Sequence, residues 1–499
     1  MNKWLKIMCL VLVLAFVLPA LVACDKDKDN DKGSEGGKTD GVVITPPSSI
    51  SEDANYNGDT FTMYSVEDMF AKKYFFADKT TGDGMNDAIY QRQQNVESVL
   101  NVDLVWKPAE GSGATPAFQT YATEVKNSIK AGDAKYQLVL THAYYAIPDL
   151  ITGGSLKDLK ELQSLSVNKD YWNKDIMDQL SYKDHYYLGY SDFNLAQTYV
   201  VAFNKSIFNN FSTSLDGYTM YDFVNNGEWT LETMSEVATL AFVDNGSEST
   251  NIYGLTGELW VPFCGFIQSS GESIVARDAQ SGLYSVTWID NKTIKNKMNN
   301  VVNAIRDIGD LQETYFWKHE AFQANPTMVL LQDGKAFMQL MGTNALIDLK
   351  NTQVKFGVLP YPMYDKDQYS TVKYRSLNWA GYLCVPSNNL DNADMVGDVI
   401  ECLSYFSDNV TTYYYEKLLG LKVSEAPEDA KMLEIIWGSL CSDFGVVYEG
   451  LDGDGGTKVN NIDCLVYTVP RCVMEDLQFA SWNSRYGGAA NNVIKKALN

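Results

Sequence analysis

The chain has 499 residues, 45% of them hydrophobic and 12% aromatic, and carries a formal net charge of −23. So acidic a protein does not seek phosphate backbones or anionic lipid, and no basic stripe for nucleic acid occurs along it. Its length implies two or more lobes, since single cores stop growing at roughly 250–300 residues.

Lys3 and Lys6 open the chain, and an apolar run from Ile7 to Ala23 follows, broken by Pro19. It falls short of the roughly 20 apolar residues that span a bilayer and has the layout of a signal peptide over 1–23. Its end, Leu21-Val-Ala-Cys24, resembles a bacterial lipobox. That resemblance implies cleavage before Cys24 and diacylglycerol on its sulfur, a two-chain anchor on the outer face of the cytoplasmic membrane. Loss of Lys3 and Lys6 with the signal takes the net charge to −25. Residues 24–56, poor in apolar side chains and rich in Asp, Lys, Gly and Ser, read as a flexible linker.

The elements then come in order. Asp59–Ser65 alternates as a strand; Asn86–Leu100, with Asn and Asp at its head, reads as a helix; Val102–Trp106 is a second strand. Another helix spans about 118–131, and Tyr136–Thr141 is a third strand. This alternation predicts a parallel sheet of the α/β class. Further on, Gln197–Asn204 reads as a strand, Thr230–Asp244 as a helix capped by Thr230, and Lys292–Leu311 as a helix. Gly334–Met341, Val354–Pro360 and Gly381–Pro386 read as strands, Ala393–Ser407 as a helix, and about 428–499 as mostly helical. Outside Cys9 and Cys24, six cysteines remain, at 264, 384, 402, 441, 464 and 472, and few or no disulfides are expected among them.

Several stretches, in this order, resemble the solute-binding proteins of bacterial ABC importers, the maltose-binding class. They are Asn86-Asp-Ala-Ile-Tyr-Gln-Arg92, Tyr136-Gln-Leu-Val-Leu-Thr-His142 with Asp149–Leu159, and His185-Tyr-Tyr-Leu-Gly-Tyr-Ser191 through Val201-Ala-Phe-Asn-Lys205. Gly227-Glu-Trp-Thr230, Tyr253-Gly-Leu255, Asp333-Gly-Lys-Ala-Phe-Met338 and Phe356-Gly-Val-Leu-Pro-Tyr-Pro362 continue the series. The resemblance covers roughly 57–499. It implies a two-lobed α/β fold of the type II periplasmic-binding-protein kind, with a hinge that closes on ligand. The chain is expected to cross between lobes near 193–197 and again near 320–350. The first lobe would then comprise 57–195 and 326–380, the second 196–325 and 381–499. The implied function is capture of a carbohydrate, an oligosaccharide, for a membrane permease, by a monomer that is not an enzyme and uses no cofactor or metal.

Sugars offer flat C–H faces and a belt of hydroxyls, so aromatic plates and paired donors and acceptors should meet them. Loops after strands supply the candidates: His142, Tyr144, Asp192, Asn194, Trp260, Phe263, Thr343, Asn344, Arg375, Asn378 and Trp379. Each has a blander alternative: a tryptophan ending an apolar segment also serves as core, and Asp192 also serves as a hinge hydrogen-bonder. A secreted glycoside hydrolase is the rival class, but no stretch singles out a carboxylate pair. No Gly-x-Ser-x-Gly, His-Glu-x-x-His or Walker loop occurs, and the three histidines lack metal spacing. Asp452-Gly-Asp-Gly-Gly456 resembles half a calcium loop, but Thr457 stands where glycine is required. A lipid-anchored sensor or adhesin, or a peptide ligand, remains open on these residues.

Overall fold

Phe61 and Met63 alternate with Thr60 and Thr62 along Asp59–Val66 and are fully buried, the period-2 burial of a strand. In the computed structural model this strand, β1, lies between β2 (Val102–Ala109) and β3 (Leu138–Leu140), both parallel to it. The structure describes residues 44–66, 72–109, 115–141, 150–151, 153–195, 197–259, 261–318, 326–346, 349, 352–379, 381–389, 391–419, 427–448 and 465–499. The helix Gly84–Leu100 joins β1 to β2 and buries Met85, Ala88, Ile89, Arg92, Val96 and Leu100, one face at helical spacing. It starts before the expected Asn86 because the Asp83 carboxylate accepts from the Met85 and Asn86 N–H groups at 3.1 and 3.0 Å. The helix Thr115–Ala131 joins β2 to β3.

A second sheet gathers β4 (Tyr199–Asn204), β5 (Tyr253–Glu258), β8 (Thr314–Trp317), β9 (Ala336–Gly342) and β10 (Phe356–Leu359) in the order β10-β4-β9-β5-β8. Between β5 and β8 the chain forms a small antiparallel hairpin, β6 (Val275–Arg277) and β7 (Tyr284–Val286). All six residues of β4 are buried, as a central strand covered on both faces requires. The helix Leu231–Ala241, capped by Thr230 as expected, crosses β5 so closely that a Cβ on Gly254 would lie 1.9 Å from the Ala238 carbonyl oxygen. Only glycine allows that approach, which accounts for the Tyr-Gly pair.

β11 (Ser376–Leu377) pairs in parallel with β13 (Leu440–Cys441). Between them, β12 (Leu383–Cys384) joins the first sheet, antiparallel to β3. This corrects the expected lobe boundaries. Residues 326–377 carry β9 and β10 and belong with the second sheet, not the first, because β9 pairs with β4 and β5 and β10 with β4. The return crossing is therefore at 378–382 rather than 320–350. Conversely, β12 and the helices Ala393–Tyr405 and Asp408–Leu419, which pack on Gly84–Leu100, belong to the first lobe. The helix Pro427–Gly438 packs on β10 again, so a third passage falls between the last two helices.

The expected linker also ends sooner than residue 56. Ile50 is buried, the Ser49 hydroxyl donates to Glu401, and the Tyr56 hydroxyl donates to Asp398 at 2.7 Å. Partners on the helix Ala393–Tyr405 dock a segment whose composition alone reads as tether. The expected signal peptide and Cys24 lie outside the described residues. Among those described, no helix is long and apolar enough to cross a membrane. Among the described residues, Cys384, Cys402, Cys441 and Cys472 are buried and form no disulfide, and Cys264 is buried as well.

Candidate ligand site at the interlobe crossings

Two of the three passages between the lobes lie within 190–198 and 378–382, and hydrogen bonds tie these two segments together. Trp379 N–H donates to the Gln197 carbonyl at 2.6 Å, and Asn194 Nδ2 donates to the Gly381 carbonyl at 3.1 Å. Thr198 and Thr343 exchange two bonds, Thr343 N–H to the Thr198 carbonyl (2.9 Å) and Thr198 N–H to Thr343 Oγ1 (3.2 Å). Asn378 is buried at the junction: it accepts from the Tyr190 hydroxyl at 3.0 Å and donates to the Tyr382 oxygen at 3.1 Å. The Tyr382 and Ser442 hydroxyls are 2.8 Å apart, and burial pushes the Tyr382 phenol up to about 12. It therefore stays neutral and can donate and accept at once.

The sequence candidates divide on burial. Trp379 is half-buried, its ring centroid 5.5 Å from that of Tyr199 and tilted 53°. Behind it the aromatic wall continues through Tyr361, 6.1 Å from Tyr199, to Phe266, 4.9 Å from Tyr361. Gly265 lies flat beneath, where a Cβ would press on Tyr199 at 3.1 Å. Asp192 is half-buried on the first crossing, its N–H donated to the Tyr171 carbonyl. Asn344, also half-buried, follows Gly342 at the end of β9. Trp379, Asp192 and Asn344 keep exposed surface, as does Arg375, whose guanidinium is nonetheless bonded to backbone carbonyls.

The other described candidates are engaged with the protein. Phe263 has no exposed surface and stands edge-on to Phe316 at 4.8 Å, in the core of the second lobe. Asn194, Thr343 and Asn378 are buried in the crossing network, so their polar groups serve the hinge. Arg375 Nη1 donates to the Gly271 and Glu272 carbonyls at 3.1 and 3.3 Å, anchoring a loop of the second lobe. His142, Tyr144 and Trp260 lie outside the described residues. Sequence reading missed Tyr199 and Tyr361 as the backing of the plate. Tyr199 heads an apolar strand and Tyr361 follows Pro360, positions that read equally as core. Among the described residues no group of three or more His, Cys, Asp or Glu side chains could hold a metal ion.

Two α/β lobes meet at these crossings, with half-buried Trp379 and hydrogen-bonded polar groups at the join. That is the architecture of a two-lobed solute-binding protein. The family model described as "bacterial extracellular solute-binding protein" matches residues 114–420, more than half of the chain, and the chain belongs to that family. No curated protein matches it. Among solved structures, the sugar-binding protein MalE from Xanthomonas citri is 12% identical with a TM-score of 0.56, covering 88% of this chain and 98% of that one. The GacH receptor of Streptomyces glaucescens, solved unliganded and with acarbose, is 14% identical (TM-score 0.53, 88% and 99% covered). The maltose/maltodextrin-binding domain MalE of Bdellovibrio bacteriovorus, bound to maltotriose, is 14% identical (TM-score 0.51, 88% and 99% covered). At these identities the shared property is the two-lobed fold.

Proposed function

We propose that this protein is the extracellular substrate-binding component of an ABC importer, capturing an oligosaccharide by hinge closure and handing it to a membrane permease. The observation that carries the reading is Trp379: a partly exposed indole on the return crossing, backed by Tyr199 and Tyr361 and held by a hydrogen bond from its own backbone. A flat apolar ring at a hinge, with Asp192 and Asn344 on neighbouring segments, matches a solute with C–H faces and hydroxyls. Similar proteins crystallised with acarbose, maltotriose and cycloalternan support the same class. His142, Tyr144 and Trp260 complete the proposed contact set. Closure follows from contacts made on both lobes, which favour the closed state by their differential affinity for it. Cys24 carries the lipid in this reading, the molecule acts as a monomer, and its role is binding without catalysis.

The test is a calorimetric titration of the chain from Asp25 against maltotriose, acarbose, mannotriose, short peptides and polyamines. Heat of binding from an oligosaccharide alone is the expected result. Silence from every sugar with a response to a peptide overturns the carbohydrate class, and cleavage of a sugar overturns the binding role. Replacement Cys24→Ser should release the protein from the membrane fraction.

A further inference from the structure

The first lobe carries a small hairpin whose tip is seated in the second lobe. Tyr182 N–H donates to the His185 carbonyl (3.1 Å) and His185 N–H to the Tyr182 carbonyl (3.0 Å), enclosing Lys183 and Asp184 in a two-residue turn. Both enclosed residues have positive φ, 49° and 67°. A turn with both central residues left-handed is the form that Asn-Gly adopts readily; Asp tolerates it, whereas Lys adopts it at a cost. Local sequence does not favour this backbone, so its surroundings hold it there.

Those surroundings come from both lobes. On the first-lobe side, Tyr186 N–H donates to Asp158 (3.0 Å), Leu159 N–H to the Tyr186 carbonyl (2.8 Å), and Gly189 and Leu383 exchange backbone bonds at 2.8 and 3.1 Å. On the second-lobe side, the Tyr284 hydroxyl of β7 donates to the Ser181 carbonyl at 3.1 Å and accepts from Lys183 N–H at 3.2 Å. The Tyr448 hydroxyl donates to the Leu180 carbonyl (3.3 Å) and Ser442 N–H to Gln179 Oε1 (2.7 Å). The Tyr182 hydroxyl reaches the Leu498 carbonyl at 3.3 Å, and Arg277 pairs with Asp184 at 2.6 Å. The Tyr182 ring lies 5.9 to 6.4 Å from the rings of Tyr284, Phe444 and Tyr448. Phe444 and Tyr448 are themselves stacked at 3.7 Å. The second-lobe half is braced by the buried Asp443, whose carboxylate accepts from Ile274 N–H and Gln268 Nε2 at 2.6 Å each.

We propose that the Tyr182 hairpin in its socket of Tyr284, Phe444 and Tyr448 is a second interlobe joint that restricts the lobes to rotation about one axis. The first crossing turns at Asp192 and Phe193, where Asn194 N–H donates to the Ser191 carbonyl at 2.9 Å, and the crossings alone leave the lobes free to twist as well as bend. The socket adds six polar contacts and an aromatic packing surface on a stretch contiguous with them: residues 180–187 run straight into the first crossing, and Ser442 touches Tyr382 of the second. Bending about a line through crossings and socket leaves these contacts in place, while twisting off that line breaks them. Restricting the ligand-free lobes in this way reduces the ordering cost of closure.

The test needs no ligand. Nitroxides on p-acetylphenylalanine are placed at Asp103, exposed on β2, and Ser247, exposed beyond the helix Leu231–Ala241, in the full chain. Pulsed dipolar spectroscopy then reads the interlobe distance distribution. A single narrow distribution is expected for the unsubstituted protein, at least doubled in width by Tyr182→Ala. An unchanged width in a Tyr182→Ala protein that melts cooperatively overturns the proposal. Should Tyr182→Ala fail to fold, Tyr284→Phe decides: it keeps the ring and removes only the bonds to Ser181 and Lys183. Broadening by about half or more supports the joint, and an unchanged width overturns it.

Discussion

Replacement of Trp379 by alanine tests binding while leaving the residue's backbone bond to Gln197 in place. The 2.6 Å bond from Trp379 N–H to the Gln197 carbonyl survives the substitution, as do the Asn378 bonds beside it. What is lost is a half-buried indole facing Tyr199. Full burial of such a side chain is worth about 3–5 kcal/mol to stability, so partial burial should cost about 1–2 kcal/mol. If the exposed part of the indole stacks on a sugar ring, affinity should fall by about 1–3 kcal/mol, the range for a central aromatic contact. At 1.4 kcal/mol per tenfold, the dissociation constant rises roughly 5- to 150-fold. Titration calorimetry with the sugar found in the panel measures this, alongside a urea melt for the stability cost, and Trp379→Phe should recover part of the affinity. An unchanged dissociation constant in a folded Trp379→Ala protein would falsify the stacking role and leave the indole as core.

Glu401 has no exposed surface and accepts from the Tyr171 hydroxyl (2.6 Å), Trp172 Nε1 (3.0 Å), Ser166 N–H (3.1 Å) and the Ser49 hydroxyl (3.3 Å). Glu401→Gln keeps one acceptor oxygen for these donors and should cost about 1–3 kcal/mol, read as a lower urea midpoint at constant slope; an equal midpoint would refute a stabilising role for these bonds. Lys183→Asn places in the left-handed turn a residue that tolerates it and should raise stability by about 0.5–1 kcal/mol, seen as a higher melting temperature. The Asp222 carboxylate accepts from the Thr219 hydroxyl and N–H at the start of the helix Met220–Asn225, and these bonds lower its pKa. A depressed folded value means that its contribution is present above the unfolded value of 3.8 and lost as pH falls through the folded one. Asp222→Asn should therefore destabilise at pH 7 and converge on the parent in acid, in melts at several pH values; a gap that widens in acid contradicts the capping role.

Much of the fold was legible locally. β1, β2 and β4, the helix capped by Thr230 and the helix Lys292–Gly309 lie within a few residues of their expected spans, because hydrophobic period and capping are short-range signals. The strands β5 and β8 were not anticipated, nor was the β6–β7 hairpin. Tyr253-Gly-Leu255 entered only through the family resemblance, and β8 is four half-buried residues at a sheet edge. β12 is two residues long and owes its identity to pairing with Leu140 and Val139, more than 200 positions away.

Within the site the division follows the same physics. The loops searched supplied Trp379, Asp192 and Asn344, which keep exposed surface. Composition cannot tell a buried Asn378, spent on Tyr190 and Tyr382, from an exposed asparagine awaiting a hydroxyl, because the two differ only in distant partners. Residue types and their order along the chain were enough for the α/β class, the two-lobed architecture and the family resemblance. Lobe membership of residues 326–419, the docking of Ile50 and Tyr56, and the seating of Tyr182 depended on pairings between far-separated segments. Period and propensity report what a segment can become; burial and hydrogen-bond partners, which act through space, report what it touches.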